Sequence, residues 1–330
     1  MRAVVVRSFG GPEVLQADEV PDPVAGPGEL LVRVELSGVN YADTHQTENT
    51  YLAPQQLPLV PGAEVVGRVV ATGPGADTGM LGRRVVALVD HGGYAELARV
   101  PEATTVDIGE DLPGPDACAL VLQGVTAWHL LRTSTRLVPG ESIVVHSAAG
   151  GVGTVAVQLA RQWGAGRVIA SASTPAKRAV VADLGADVIV DVGAAAAGGA
   201  GAVRDVLLSA NDGAPVDVVL EMTGGDVYNG SYLALAPLGR LVVFGLASRR
   251  AGRSIAPVDL MASSRTVAGF WLQHALAAGG MRAAMAELLS MTRSGLLVPV
   301  LGGEYPLEEA SLAHADLRAR RSTGKLVLRP

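Results

Sequence analysis

The spacing of apolar and polar residues changes along the chain. In the first third, short stretches alternate the two kinds of residue, as in the segment 30–36, Leu-Leu-Val-Arg-Val-Glu-Leu. Arg33 and Glu35 fall on the face opposite the two valines and Leu36, which is typical of a strand with one buried face. Glycine and proline residues separate these stretches, so the first third predicts a small β-rich domain.

From about residue 120 the apolar residues come in unbroken runs with amphipathic helical segments between them. The runs lie at 142–146, 168–171, 188–191, 216–220 and 240–244, and such runs are typical of strands in a parallel sheet covered on both faces. The segment 193–201 is rich in glycine and alanine, and we interpret it as a flexible loop leading into a helix. The alternation predicts βαβ units and an α/β fold.

The end of the chain returns to the first pattern. A helical segment at 281–294 is followed by glycine and proline residues and by a short apolar run at 325–328. A terminal strand needs a sheet to join, and the β-rich first third offers one. We therefore predict a discontinuous domain of residues 1–120 and 270–330, with the βαβ domain of residues 121–269 inserted into it.

Composition narrows the class of protein. The 330 residues are 49% hydrophobic and 18% charged with a net charge of −6, which excludes a disordered chain. No basic run is long enough to follow a phosphate backbone, so nucleic acid is not expected as a partner. No apolar run approaches the ~20 residues of a membrane span. We expect a soluble cytoplasmic protein without a membrane partner.

Cysteine and histidine, the usual zinc ligands, are scarce. Cys118 is the only cysteine, which excludes an intramolecular disulfide and a zinc site built from cysteines. The six histidines include no pair at a spacing typical of metal ligands. A catalytic zinc ion is therefore not expected.

A glycine-rich turn between a strand and a helix carries the strongest local chemical signal. The run at 142–146 leads into Ser-Ala-Ala-Gly-Gly-Val-Gly at 147–153 and then into an amphipathic helix. The glycines let backbone approach a pyrophosphate closely, and the start of the helix offers unpaired N–H groups. We predict that Gly150, Gly151, Val152 and Gly153 bind a dinucleotide, although such turns also serve only to make tight corners.

The end of the second strand of this domain indicates which dinucleotide is bound. An acidic residue there would hydrogen-bond the ribose hydroxyls of NAD, but this chain has Ser171-Ala-Ser173. The hydroxyls of Ser171 and Ser173, with Lys177 and Arg178 close by, could bind the 2′-phosphate of NADPH. Lys177 could instead be a solvated residue in the first turn of a helix. We predict NADPH as the cofactor.

Seven short motifs, spread from near residue 30 to the C-terminus, carry a family resemblance. They are Ser37-Gly-Val-Asn40-Tyr-Ala-Asp43, Pro61-Gly-Ala-Glu64-Val-Val-Gly67, Gly92-Gly-Tyr-Ala-Glu96, Gln123-Gly-Val-Thr-Ala-Trp128, Val138-Pro-Gly140, His146-Ser-Ala-Ala-Gly-Gly-Val-Gly153 and Ser322-Thr-Gly-Lys325. With them the chain resembles zinc-independent members of the medium-chain dehydrogenase/reductase superfamily, and it is most similar to the quinone oxidoreductase (zeta-crystallin-like) branch. The resemblance implies a GroES-like β-rich catalytic domain, a Rossmann domain with a doubly wound parallel sheet, and a cofactor cleft between them.

The resemblance also bears on metal binding. Zinc-using relatives carry a cysteine ligand in the segment that corresponds to Asn40 and a His-Glu pair in the segment that corresponds to Ala63 and Glu64. Here asparagine and alanine stand in place of those ligands, and the cysteine-rich zinc lobe is absent. The resemblance therefore implies an enzyme that works without metal.

Several site residues follow from the resemblance alone. Asn40 would hydrogen-bond the cofactor or substrate, and Tyr51 would donate to an acceptor oxygen or only lie at the rim of the site. The other residues implied near the nicotinamide are Gln123, Thr126, Phe244, Gly245, Phe270, Trp271 and Leu272. Phe270 could equally be ordinary core.

The resemblance also places two C-terminal residues. Arg320 and Lys325 lie in the segment that approaches the 2′-phosphate in similar proteins, although Lys325 could instead only shape the last strand. Several relatives carry a tyrosine that contacts this phosphate, where this chain has Val192. The preference for NADPH is therefore expected to be weaker than in typical members.

The predicted function is hydride transfer from NADPH to a quinone or a similar electron-poor conjugated carbonyl, without metal. One alternative is reduction of a 2-enoyl thioester or an α,β-unsaturated ketone, because Gly269-Phe-Trp-Leu272 with Tyr51 resembles enoyl reductases of the superfamily. Another is an NADPH-binding protein with a structural or sensing role and little turnover. The resemblance also implies a homodimer, with 265–268 as a candidate edge strand.

Overall fold

The structure of the chain, a computed structural model, describes residues 1–330. The strands in chain order are β1 (Arg2–Val5), β2 (Gln16–Glu19), β3 (Glu29–Val39), β4 (Glu64–Thr72), β5 (Arg84–Leu88), β6 (Leu97–Pro101), β7 (Thr105–Asp107), β8 (Ser142–Val145), β9 (Arg167–Ser171), β10 (Val188–Val190), β11 (Val216–Glu221), β12 (Leu235–Val243), β13 (Thr266–Gly269), β14 (Leu301–Pro306) and β15 (Lys325–Arg329). The α-helices are α1 (Tyr41–Thr47), α2 (Gly114–Ala119), α3 (Val125–His129), α4 (Gly151–Gln162), α5 (Pro175–Asp183), α6 (Val192–Ala195), α7 (Gly199–Ala210), α8 (Gly225–Ala234), α9 (Pro257–Ser263), α10 (Leu272–Ala277), α11 (Met281–Arg293) and α12 (Ala310–Arg318). None of these helices combines the length and the apolar character that crossing a bilayer requires.

These elements form two compact units. The first comprises Met1–Gln123, Met281–Arg293 and Pro299–Pro330, and the second comprises Gly124–Gly280 and Ser294–Val298. The units differ from the predicted bounds in three places, since 121–123 lie in the first unit and 270–280 and 294–298 lie in the second. The second difference has a local cause: α10 continues almost directly from β13, and the carbonyl of Gly280 bonds to His129 of the same unit.

The first unit is built on a sheet with the order β14-β15-β3-β4-β5-β7, in which β6 also pairs with β3. The last strand, β15, runs antiparallel to β3 with Val327 opposite Gly38. The terminal strand predicted at 325–328 is thus confirmed, and it joins the sheet of the first third. Leu30, Val32 and Val34 of β3 are buried, as the alternating pattern predicted.

The second unit is a parallel six-stranded sheet in the order β10-β9-β8-β11-β12-β13. All four residues of β8 are buried, because helices cover both faces of such a sheet. The chain order reverses between β8 and β11. In open α/β sheets, ligands bind outside the carboxyl ends of the strands at this reversal.

The segment 193–201 is helical and not the flexible loop that its composition suggested. α6 and α7 contain most of it, and a short 3₁₀ turn at Ala196–Gly198 joins them. Alanine has the highest helix propensity of all residues, and Val203 and Leu207 on α7 are fully buried in the core of the unit. Burial of that face stabilises a helix whose glycines alone would disfavour it.

Candidate functional site

The carboxyl edge of the parallel sheet gathers most of the residues predicted to bind the cofactor. Ser171 is the last residue of β9, Phe244 directly follows β12, and Phe270 directly follows β13. The glycine-rich turn follows β8. Because carboxyl ends of parallel strands meet at one edge, these positions lie along the edge where such sheets bind ligands.

The glycine-rich turn packs too tightly for side chains at its last glycine. A Cβ on Gly153 would lie 2.5 Å from the Ser147 carbonyl oxygen and 2.6 Å from Ala148 Cα. Gly150 is the residue before α4, and no side chain caps the first N–H groups of that helix. Those N–H groups, with the positive end of the helix dipole, are the donor set that a pyrophosphate needs. Gly150, Gly151, Val152 and Gly153 therefore fit the predicted role.

Ser171 holds this turn in place and does not face a phosphate. Its side chain is buried, and its Oγ accepts the N–H of Ser147 at 3.0 Å and lies 3.3 Å from His146 Nδ1. The other ring nitrogen of His146 is 2.7 Å from Ser231 Oγ, and burial lowers the pKa of His146 to about 4. The imidazole is therefore neutral at pH 7. The predicted contact of Ser171 with the 2′-phosphate is not supported, because its hydroxyl is used beneath the turn.

The segment after β9 retains two of the predicted phosphate residues. Ser173 is exposed, and Lys177 is half-buried in the first turn of α5, where its N–H donates to the capping Thr174 Oγ1 at 3.3 Å. Arg178 lies 3.6 Å from the Asp191 carboxylate, so its charge is partly balanced. Ser173 and Lys177 remain the candidates for a 2′-phosphate.

Glu221 ends β11 at the reversal of the sheet and was not among the predicted site residues. Its carboxylate is fully buried and accepts the N–H groups of Thr223 at 2.7 Å and Gly224 at 3.0 Å. Burial raises the pKa of Glu221 to about 7. A Cβ on Gly224 would lie 2.4 Å from the Arg250 carbonyl oxygen. The carboxylate and the glycine together fix the turn that follows β11, the strand next to β8 at the reversal.

The predicted aromatic segment after β13 is anchored through a histidine. The ring of Phe270 stacks on that of His129 with centroids 6.1 Å apart, and His129 Nε2 lies 3.0 Å from the Gly280 carbonyl oxygen. Phe270, Trp271 and Leu272 are half-buried, so none of them is fully enclosed core. Thr126 is buried in α3, and Gly245 follows Phe244 after β12.

A second group of polar residues lies in the first unit, where β3 passes into α1. Asn40 is the residue before α1, and its backbone N–H donates to Asp43 Oδ2 at 2.8 Å. The same Asp43 oxygen accepts the Tyr94 hydroxyl at 2.8 Å, and that hydroxyl lies 3.1 Å from His314 Nε2. Burial raises the pKa of Asp43 to about 6 and lowers that of His314 to about 4. This network orients the start of α1 and with it Asn40.

The side chain of Asn40 lies beside a fully buried ion pair. Its Nδ2 donates to Glu64 Oε1 at 2.8 Å, and its Oδ1 accepts from Lys325 Nζ at 3.1 Å and from Gln123 Nε2 at 3.1 Å. The Lys325 ammonium also binds the Glu64 carboxylate directly, and both side chains are 0% exposed. Gly38 makes room on β3, because a Cβ there would collide with Glu64.

This cluster does not fit a metal ion. No group of three or more His, Cys, Asp or Glu side chains is placed to hold one. A lysine ammonium already lies against the one carboxylate of the cluster, and a second cation there would be repelled. The predicted contact of Lys325 with the 2′-phosphate is likewise not supported, because its Nζ is buried and bound to Glu64, Asn40 and the Val39 carbonyl.

Two further predicted residues stand apart from the cluster. Tyr51 is half-buried in the irregular segment that follows α1, and Arg320 is exposed just after α12 with a φ of 56°. Gln123 belongs to the cluster, because the π-helical turn Leu120–Gly124 carries it there. Tyr94, Glu64 and His314 were not among the predicted site residues, although Tyr94 and Glu64 lie in motifs that carry the resemblance.

Comparisons with known proteins agree with the two units. Residues 26–110 match the model of the alcohol dehydrogenase GroES-like domain, and residues 151–291 match that of the zinc-binding dehydrogenases. A GroES-like domain combined with a doubly wound parallel sheet defines the class of medium-chain dehydrogenases and reductases.

Individual relatives narrow the class. The chain is 33% identical to the quinone oxidoreductase of Rattus norvegicus, over 99% of this chain and 97% of the relative. A mycobacterial protein solved in complex with NADPH is 34% identical, with a TM-score of 0.92 and complete coverage of both chains. The NADPH complex of Escherichia coli quinone oxidoreductase is 28% identical, with a TM-score of 0.91 and complete coverage of both chains. The chain belongs to the quinone oxidoreductase branch of the medium-chain dehydrogenase/reductase superfamily.

Proposed function

We propose that this enzyme transfers a hydride from NADPH to a quinone or a similar electron-poor conjugated carbonyl, without metal. The observation that carries the proposal is the buried cluster of Asn40, Glu64 and Lys325. There, the carboxamide of Asn40 and the carboxylate of Glu64 lie in the two segments that by the resemblance correspond to metal ligands in zinc-using members, and the ammonium of Lys325 contacts both of them. The hydrogen-bonding groups for a carbonyl are present, and a metal-binding set is not.

Two features of the second unit support NADPH as the cofactor. The start of α4 presents N–H groups without a side-chain cap, and the end of β9 has Ser173 and Lys177 but no acidic side chain. Two related structures contain NADPH. When bound, NADPH supplies the hydride from C4 of its nicotinamide ring.

The chain itself has to position the acceptor and deliver a proton. A quinone that accepts one hydride and one proton becomes a hydroquinone, and a quinone is already a strong hydride acceptor. Orientation in a site from which water is excluded can therefore supply much of the rate. In this proposal Asn40 hydrogen-bonds the acceptor oxygen, and Tyr51 or water supplies the proton.

A homodimer is the second part of the proposal. β13 pairs with β12 on one side only, so its other edge offers unpaired backbone groups. Three exposed apolar side chains lie on neighbouring elements. Leu238 on β12 is 77% exposed, and Val258 and Met261 on α9 are 59% and 75% exposed. An open strand edge flanked by exposed apolar side chains favours pairing with a second copy of the chain.

The deciding experiment measures NADPH oxidation by chelator-treated protein, with a naphthoquinone and, in parallel, with a short 2-enoyl thioester. We expect turnover of the quinone, undiminished by the chelator. Faster turnover of the thioester would identify an enoyl compound as the substrate in place of a quinone. Tyr51 would then be the acid that protonates the enolate. Tight NADPH binding without oxidation by either acceptor would overturn the proposed activity and favour a binding or sensing role.

A further inference from the structure

In the proposed reaction Asn40 contacts the acceptor, whereas the buried pair of Lys325 and Glu64 contacts Asn40. Both side chains are fully buried, and neither contacts solvent. An ion pair removed so completely from water adds little net stability, because the loss of hydration offsets the attraction. Its contact with Asn40 indicates a role other than stability.

The pair fixes the orientation of the Asn40 carboxamide. Lys325 has only donors, and the Glu64 carboxylate has only acceptors. Asn40 Oδ1 therefore faces the ammonium at 3.1 Å, and Nδ2 faces Glu64 Oε1 at 2.8 Å. A flipped amide would place donor against donor and acceptor against acceptor, so one orientation is stable.

The hydrogen bonds of Asn40 then determine what it can offer a bound molecule. Its Oδ1 accepts from Lys325 and from Gln123, which uses both lone pairs. Its Nδ2 uses one of two N–H groups on Glu64. The Asn40 side chain therefore has one N–H group left for a bound molecule and no lone pair left to accept a hydrogen bond. It can hydrogen-bond a bound molecule only as a donor.

Gln123 provides the complementary group. Its Nε2 is used on Asn40, whereas its Oε1 is buried without a hydrogen-bond partner. Buried acceptors without partners are rare in folded proteins, and a bound molecule is one way to satisfy them. The open donor of Asn40 and the open acceptor of Gln123 thus belong to two hydrogen-bonded neighbours.

We propose that Lys325 is a positioning residue for hydride transfer, which with Glu64 locks Asn40 as a hydrogen-bond donor to the carbonyl oxygen of the acceptor. As the hydride adds to the conjugated system, negative charge develops on that oxygen, and a fixed N–H stabilises it. Through Asn40, the buried ammonium thereby polarises the carbonyl of the acceptor, as a metal ion does in other enzymes. The site selects acceptors that present an oxygen lone pair.

The test compares Lys325→Met with the double variant Lys325→Met/Glu64→Gln, which removes both charges and keeps unbranched side chains of similar length. Lys325→Met alone leaves a buried carboxylate without its partner, so we expect a clear fall in melting temperature. The double variant should regain most of that loss. Because its Asn40 amide is no longer locked, its kcat with naphthoquinone should stay about tenfold or more below that of the wild type. A kcat that recovers together with the melting temperature would overturn the proposal.

Lys177→Met is the matched control, since lysine occurs only at 177 and 325. We expect this variant to raise the KM for NADPH relative to NADH, whereas the double variant should leave the ratio of kcat/KM for the two cofactors unchanged. A changed ratio in the double variant would assign Lys325 to the 2′-phosphate and contradict the positioning role.

A measurement that does not depend on turnover tests the positioning role of Lys325 separately. Only the kinetic experiments above rest on the proposed function. In protein labelled with ¹⁵N at asparagine, the NMR signal of the Asn40 side-chain amide is identified because it disappears in Asn40→Asp. We expect one strongly protected N–H in the wild type and loss of that protection in the double variant. Equal protection in both would contradict the locking. If the wild type reduces no quinone, the proposed function fails, while the amide protection still decides the role of Lys325.

Discussion

Each buried ionisable residue near the two sites has partners that suit one protonation state. His146 lies between two serine hydroxyls, and Glu221 accepts from two backbone N–H groups. Asp43 accepts from the Asn40 backbone and from Tyr94. The sequence did not predict these arrangements, because residue types are visible in it and their burial is not.

Replacing Glu221 with glutamine should make stability less dependent on pH. Burial raises the pKa of Glu221 from 4.5 to about 7, so between these values the folded protein binds a proton that the unfolded chain has released. The wild type therefore loses stability as pH rises through that window, whereas Glu221→Gln has no charge to bury.

Urea unfolding at two pH values measures this effect. We expect Glu221→Gln to gain stability over the wild type by on the order of 2 kcal/mol between pH 5 and pH 8. The same difference in free energy of unfolding at both pH values would show that the carboxylate is not destabilised by burial.

The glycine-rich turn yields a second prediction for single residues. A Cβ on Gly153 would meet backbone atoms at 2.5 and 2.6 Å, whereas one on Gly150 would meet only the Ser147 carbonyl oxygen at 3.2 Å. Backbone cannot give way as a side chain can, so Gly153→Ala should lose about 1–3 kcal/mol. It should also weaken NADPH binding, measured by fluorescence titration. Gly150→Ala should lose less stability, and equal losses in the two variants would contradict the packing argument.

Among the secondary-structure elements, the contact of α7 with α8 depends on a missing side chain. A Cβ on Gly230 of α8 would lie 2.5 Å from Val203 Cβ and 2.6 Å from the Ala200 carbonyl oxygen of α7. Gly230→Ala should therefore push the helices apart and lower the free energy of unfolding by about 1–3 kcal/mol.

Gly201 on α7 is the matched control for this contact. A Cβ there would meet no atom within 4 Å, so Gly201→Ala should stabilise the protein by about 0.4–1 kcal/mol through helix propensity and a less flexible unfolded chain. Thermal unfolding of both variants checks the pair. Stabilisation by Gly230→Ala would contradict close packing of the two helices.

The elements also show where pattern reasoning succeeded and where it failed. Unbroken apolar runs predicted the strands of the parallel sheet, because both faces of such strands are buried. The segment 193–201 was misread, since glycine content suggested a loop while Val203 and Leu207 just beyond it bury a helical face. Local composition indicates propensity, and burial against other elements decides between close alternatives.

For the whole molecule, the proposed dimer makes a prediction about mass. In light scattering after size exclusion the wild type should show about twice the 33.7 kDa of one chain. Met261→Lys places a charge on an exposed residue beside the β13 edge and should give the monomer mass. Leu81→Lys, at another exposed apolar residue (60% exposed), should leave the dimer intact. A wild type of monomer mass would remove the dimer from the proposal.

The sequence by itself determined the two-unit architecture, the parallel sheet, the terminal strand that joins the first sheet, and the glycine-rich turn. These features depend on periodicity and on residue types at fixed local spacing, which a single chain displays directly.

Only the tertiary structure decided which polar groups meet. Lys325 lies 285 positions along the chain from Asn40 and 261 from Glu64, and Asn40 lies 24 positions from Glu64. Ser171 contacts His146 across 25 positions. No local pattern encodes such pairings. They follow from the register of β15 on β3 and of β9 on β8, which brings distant residues together and excludes the water that would otherwise satisfy them.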